Sequence, residues 1–338
     1  MNNNTYIPVD VDQILVPHMV FNKARERIKT HLMAAQHYHE PICIAIIGDS
    51  RTGKSRLLEC ITKEHPKTRT DEGVIIPVLS IKTPAKPTVK GLVEIMLHEI
   101  GDPLWFKRGS ETEKTEQLYI LLTQVKTHTL IIDEFQHFYD KTSHKVQHYL
   151  SDWLKNFVDR TGLMIIVAGL PDCMAVINQN EQLRGRFLAP ILMPRFGWST
   201  AAERVELAAC LESFQEALKR YYFPELGSDE MAFRFYCATG GLIGYIVKIL
   251  YQACLNAQMT NTQSITMQDL AIAYEEAVWT DAIRPLINPF SANFDASPVE
   301  ELLQMAKHVG TASPKVYKPR VSRMRKPVAP SAASVLAA

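Results

Sequence analysis

No stretch of the 338-residue sequence stays apolar for the roughly 20 residues that a membrane-spanning helix needs. The opening MNNNTYIPVDVD has neither the basic head nor the apolar stretch of a secretory signal, so the reading is a cytoplasmic, unexported chain. CxxC pairs are missing as well. Cys43, Cys60, Cys173, Cys210, Cys237 and Cys254 are scattered, mostly within apolar stretches, and read as small core residues of a reduced protein. Neither sign of charge dominates: 37 Lys and Arg against 36 Asp and Glu leave a formal +1. Global basicity therefore gives no argument for nucleic acid, and any such contact must come from local patches. GxSxG and HExxH are absent. His144 and His148 lie four apart on a predicted helix, but without that glutamate they read as a polar helix face. No internal repeat is present.

Strands and helices alternate through the first two thirds. Apolar residues recur at Phe21, Ala24, Ile28, Leu32 and Ala35, the spacing of an amphipathic helix over about 18–40, which Pro41 stops. Buried strands are predicted at Ile42–Ile47, Val74–Ile81, Thr129–Asp133, Leu163–Gly169 and Leu188–Met193. Between them, helices are predicted at about 54–64, 89–100, up to 125, and 143–159. This order predicts an α/β fold with a parallel five-stranded sheet flanked by helices. After Trp198 no strand-like run remains, and helices at about 200–219, 228–238, 242–257 and 267–280 predict a smaller all-α lid. The organisation read from this is an extension and helix over 1–40, a nucleotide-binding domain over 41–198, a lid over 199–285 and a basic, largely disordered tail over 286–338.

Gly48-Asp49-Ser50-Arg51-Thr52-Gly53-Lys54-Ser55 fits GxxxxGK[ST] and lies between a predicted strand and a predicted helix. Gly48 and Gly53 allow a close backbone approach, and the successive N–H groups with the helix N-terminus point at phosphates. Lys54 would reach the β- and γ-phosphates of ATP, and the Ser55 hydroxyl would ligate Mg²⁺. Downstream, Leu130-Ile131-Ile132-Asp133-Glu134 puts two acids at the carboxyl end of a buried strand, where α/β sheets bind ligands. Asp133 would hold Mg²⁺, and Glu134 would act as general base on the attacking water.

These features are those of an AAA+ P-loop NTPase. In such proteins an arginine finger resides in the position of Gln182-Leu183-Arg184-Gly185-Arg186-Phe187, which offers Arg184 and Arg186, with Arg186 the preferred one. Related ATPases also place an arginine near the lid segment Thr239–Tyr245; this sequence offers Tyr245 and Lys248 instead. The fourth strand ends Ala168-Gly169-Leu170-Pro171, without the Asn or Thr of a first sensor. Slow ATP turnover is the expectation.

Together, the phosphate loop, IIDEFQHF (Ile131 to Phe138), IIVAGLPD (Ile165 to Asp172) and QLRGRF resemble the TnsC/TniB family over roughly residues 20–280. Members are AAA+ regulators of Tn-type DNA transposons, including CRISPR-associated ones. The resemblance implies ATP-dependent binding of duplex DNA and assembly into hexameric rings or helical filaments. It also implies a link between the transposase and a TniQ-type target-selection protein, and through the latter a CRISPR effector complex. ATP hydrolysis would govern disassembly. With no DDE-type acid triad, the chain is not itself the transposase.

A protein that tracks duplex without reading sequence needs Lys, Arg and hydroxyl contacts to phosphates. Lys82, Lys86 and Lys90 follow the second strand; Lys107, Arg108, Thr112, Lys114 and Thr115 precede the third. Lys107 and Arg108 lead, with Trp105 and Phe106 expected to anchor their loop. The tail adds Lys315, Lys318, Arg320, Arg323, Arg325 and Lys326, with no acid after Glu301. Two other functions fit the same residues: a replication-initiator or helicase-loader ATPase, and a nucleotide-switched scaffold that never touches DNA.

Overall fold

The computed structural model describes residues 16, 18–35, 40–71, 73–84, 87–278 and 288–310. Lys86 and the six tail cations lie outside the described residues. Helix α1 (Met19–Ala35) buries Phe21, Ala24, Ile28 and Leu32. Strand β1 (Cys43–Ile47) leads through the glycine turn into α2 (Lys54–Glu64). A small antiparallel hairpin, β2 (Thr68–Thr70) with β3 (Gly73–Ile75), precedes β4 (Val78–Lys82). Then come α3 (Val89–Ile100), α4 (Glu111–Gln124), β5 (Thr129–Asp133), α5 (His137–Asp140), α6 (His144–Thr161) and β6 (Met164–Gly169). Short helices α7 (Met174–Ile177) and α8 (Glu181–Arg186) run into β7 (Ile191–Leu192).

The five-stranded sheet is parallel throughout, in the order β4-β5-β6-β1-β7. Alternation of side chains along each strand divides the packing into two layers. Ile44, Ile46, Ile131 and Ile166 face α1 and α2, meeting Ile28, Leu57 and Ile61. Cys43, Ala45, Leu130, Ile132 and Val167 face the other way, against Leu92, Met96, Leu118 and Phe157. Each of the Ile, Leu, Val, Met and Phe side chains among them, with almost no exposed surface, contributes about 1.5–3 kcal/mol of burial. Five of the cysteines are buried, and desolvation pushes the thiols of Cys43, Cys173, Cys210, Cys237 and Cys254 up to about 12.

Two expected strands are shorter than their apolar runs. The run Val74–Ile81 is broken at Pro77, which has no N–H for a ladder; its carbonyl instead accepts the N–H of His128 at 3.0 Å. Leu188–Met193 narrows to Ile191–Leu192 because Pro190 interrupts pairing, although Leu188 N–H still reaches the Cys43 carbonyl at 2.9 Å.

The lid helices are α9 (Ala201–Ala217), α10 (Asp229–Thr239), α11 (Ile243–Met259) and α12 (Met267–Ala277). Capping boxes Thr200–Glu203 and Thr266–Asp269 start the first and last of them. Their apolar faces form a third core of their own, including Leu211, Phe235, Ile249 and Leu270. The stretch 288–310 corrects the expectation of a basic, unstructured tail from residue 286 onward. Phe290 and Phe294 enter the lid core, and α13 (Glu300–His308) packs Leu302, Leu303 and Ala306 on it. Buried Arg234 caps the connection, donating to the carbonyls of Pro289 at 2.7 Å and Ser291 at 3.3 Å. Weak periodicity hides this arrangement because the segment packs through a few large side chains spaced along irregular chain.

Candidate functional site

The parallel order places β1 between β6 and β7, with its glycine turn at their carboxyl ends, where such sheets form their ligand crevice. Gly48 N–H donates to the Gly169 carbonyl at 3.3 Å, and Met193 N–H to that of Ile47 at 2.8 Å. A side chain at residue 48 would put Cβ 2.1 Å from the Met193 carbonyl oxygen, so only glycine fits that approach. Residue 53 has φ 94°, and α2 begins directly after it. The loop is thus folded for a phosphate, with the helix N-terminus behind it.

Lys54 is buried, and its ammonium donates to the carbonyls of Gly48 at 2.8 Å and Asp49 at 2.6 Å. Burial lowers its pKa below the usual lysine value, opposed by the charges of Glu134, Asp133 and Asp49. Ser55 Oγ donates to Asp133 Oδ2 at 2.7 Å, which sets a hydroxyl and a carboxylate oxygen side by side. Two hard oxygen donors at the phosphate edge suit Mg²⁺, and Asp133 is otherwise buried. Its other oxygen, Oδ1, accepts Glu134 N–H at 2.8 Å, while Thr83 braces its carbonyl through N and Oγ1, each at 2.9 Å. Glu134 itself has φ 57° and accepts a hydrogen bond from Gln136.

A cavity of about 390 Å³ joins these groups to the lid. Ser50, Arg51, Lys54, Ser55 and Glu134 line it together with an apolar set, Val16, Phe21, Phe214, Ile243 and Val247. His18 also lines it, its ring 4.9 Å from that of Phe196. The lid is held down locally: Gly244 N–H donates to the Arg51 carbonyl at 3.0 Å, and the Arg51 guanidinium lies 4.8 Å from the centre of the Tyr245 ring. Tyr245 thus contacts Arg51 and does not itself line the cavity, whereas Lys248 is exposed and outside it. Among the lining residues, sequence reasoning misses Val16, His18, Phe21, Phe214 and Gln136 as site residues. The first four line up only through packing, but Gln136 lies within IIDEFQHF, two positions after the second acid. Arg195 is missed too. It bonds Asp49 of the phosphate loop and the carbonyl of Val309, the latter at 2.7 Å.

The two arginines on α8 have different surroundings. Arg186 is committed to its own chain, 3.0 Å from Asp159 and 3.3 Å from Glu40. Arg184 is exposed. Of the expected DNA contacts, Lys82, Lys107, Arg108 and Thr112 are exposed. Lys114 and Thr115 are buried, which corrects the reading of both as phosphate contacts. Helix α4 turns them inward: Lys114 is 3.0 Å from Glu94 and donates to the Trp105 carbonyl at 2.6 Å. Lys90 likewise donates to the Gly109 carbonyl at 2.7 Å. These two lysines hold the 105–109 loop from beneath. Trp105 packs on the core as expected, but Phe106 points out with 68% exposure and is no anchor.

Comparison with solved structures shows a shared fold with origin-recognition and Cdc6 proteins. The ORC2 protein of Aeropyrum pernix, solved with ADPNP and ADP, has TM-score 0.57 at 15% identity, over 81% of this chain and 70% of that one. Cdc6p of Pyrobaculum aerophilum gives TM-score 0.58 at 16% identity, over 82% and 70%. The Aeropyrum pernix ORC1 protein in complex with DNA gives 0.53 at 13%, over 80% and 68%. No curated protein matches the sequence. The family described as "Bacterial TniB protein" matches residues 12–198, which is more than half of the 338 residues and spans the whole sheet with its phosphate loop and acids. The chain belongs to the TniB family of AAA+ transposition proteins.

Proposed function

We propose that this chain is an ATP-controlled assembly factor for DNA transposition. It binds Mg-ATP, assembles with copies of itself on duplex DNA and connects a TniQ-type target-selection protein to the transposase. The observation that carries this reading is the convergence of Lys54, Ser55 and Glu134 on one cavity beneath the lid, with Asp133 bonded to Ser55 behind it. Membership of the TniB family gives that switch its setting.

In the nucleotide-bound protein Lys54 exchanges its two carbonyl partners for β- and γ-phosphate oxygens. Ser55 and Asp133 would hold Mg²⁺, which would supply positive charge against that building on the phosphates. Glu134 takes a proton from the water that attacks the γ-phosphorus. Because Gly244 and Tyr245 hold Arg51, the lid follows any movement of the loop. The likeness to the ORC1 protein solved with DNA supports a surface for duplex, offered here by Lys82, Lys107, Arg108 and Thr112.

The test uses purified protein, duplex DNA and electron microscopy. Parental protein with Mg-ATP should form assemblies on duplex that dissolve as ATP is consumed. Glu134→Gln should hold ATP and stay assembled, with turnover lower by about 10²- to 10⁴-fold. Lys54→Ala should neither bind nor assemble. Assembly on DNA by Lys54→Ala at the parental level defeats the reading. Stable capture of a replicative helicase instead of a transposase would shift it to the helicase-loader class.

A further inference from the structure

Gln136 is 6% exposed, and its side chain spans the tips of two neighbouring strands. Oε1 accepts the N–H of Leu170, just beyond β6, at 3.2 Å. A backbone N–H only donates, so the amide oxygen must face it and Nε2 must face the other way. On that side Nε2 donates to Oε2 of Glu134, just beyond β5. The amide orientation is therefore fixed by the chain itself. Glu134 is held from its backbone too, through its N–H on Asp133 and a φ of 57° that few glutamates adopt. Room for the bridge is built in: a Cβ on Gly169 would lie 2.5 Å from Oε1 of Gln136. The β6 end, Ala168-Gly169-Leu170-Pro171, supplies no polar side chain of its own at this point. Gln136 and Glu134 line the same cavity as Lys54 and Ser55.

We infer that Gln136 is the positioning residue for hydrolysis, and this rests on the ATPase reading above. Its amide occupies one oxygen of Glu134 and leaves the other, Oε1, to face the water. In the step it serves, the water oxygen bonds to the γ-phosphorus while the bond from that phosphorus to the β–γ bridging oxygen breaks. ADP leaves with the bridging oxygen. One water proton passes to Glu134 and on to solvent; the other stays on the released phosphate. Because the same amide grips Leu170 N–H, a shift of β6 against β5 turns the base away from the water. The polar reading of the phosphate edge, which β6 does not itself provide, thus comes from the residue two positions after the base.

Two variants separate positioning from scaffolding. Gln136→Ala removes both bonds and should lower kcat by about 10- to 100-fold, as loss of an orienting hydrogen-bond partner does. The Kd for Mg-ADP should stay within about threefold of the parent, since no phosphate or magnesium contact is touched. Gln136→Met keeps the length and bulk of the side chain but makes neither bond, so kcat should fall to the same degree with the Kd for Mg-ADP unchanged. A scaffold role through bulk alone would leave Gln136→Met at parental kcat. Parental kcat in Gln136→Ala or in Gln136→Met overturns the inference while the ATPase reading stands. A parental protein that hydrolyses no ATP on duplex takes both down.

Discussion

Ser55 Oγ and Asp133 Oδ2 lie 2.7 Å apart although 78 residues separate them in the chain. The turn after β1 and the tip of β5 are brought together by the strand order, with β6 between them. That pair makes the metal dependence of nucleotide binding testable. Ser55→Ala deletes one oxygen donor without touching the loop backbone. Mg-ATP affinity should fall about tenfold, equivalent to about 1.4 kcal/mol. In EDTA the variant should match the parent within about twofold. Titration calorimetry with and without Mg²⁺ checks it, and an equal loss in both conditions refutes the assignment.

The two arginines of α8 should behave differently. Arg186 forms partly exposed ion pairs with Asp159 and Glu40, so Arg186→Ala should cost at most about 1 kcal/mol of stability and leave turnover in place. Arg184→Ala should lower turnover by about 10³-fold in the assembled protein, with ATP affinity of dilute protomers unchanged. Steady-state ATPase measured across a protein-concentration series distinguishes them. Turnover lost in Arg186→Ala but kept in Arg184→Ala bears out the sequence-based preference for Arg186.

The glycine turn, the two acids and the helix positions are legible in the amino-acid sequence alone, because strand burial and helix periodicity are local properties. What the sequence hides is non-local. The pairing of Arg186 within its own chain depends on Asp159, 27 residues away. The inward turn of Lys114 depends on Glu94 and on the Trp105 carbonyl. A lysine's charge is visible in sequence, whereas the side of the helix that meets α3 is not. Pro77 and Pro190 are visible, and their missing N–H groups are the signal that two strands stop short.

For DNA, the exposed pair Lys107 and Arg108 gives a quantitative expectation. Reversing both charges should weaken duplex binding about equally for unrelated sequences and reduce the slope of log K against log salt by about 2. Fluorescence anisotropy from low to moderate salt measures this. Lys114→Glu should act otherwise, unfolding the protein locally because it places a like charge beside Glu94 in a buried position. An unchanged slope in the double variant removes this loop from the interface.

Acid sensitivity should appear at His128. Burial lowers its pKa below the ordinary histidine value, and the charge of His65 lowers it further, with the two rings 6.0 Å apart. A histidine whose folded pKa is depressed binds its proton more readily when unfolded. Its contribution is therefore fully present above about pH 6.5, the unfolded value, and is lost as pH falls from there toward the folded value. Denaturant midpoints should fall less between neutral and mildly acidic buffer in His128→Gln than in the parent. Parallel pH dependences exclude His128 as the source.

Arg195 carries a mechanical corollary. One guanidinium grips both Asp49 and the carbonyl of Val309, the residue after α13, so the end of that helix is a single side chain away from the phosphate loop. A change in how α13 sits on the lid would therefore reach that loop directly, bypassing the sheet.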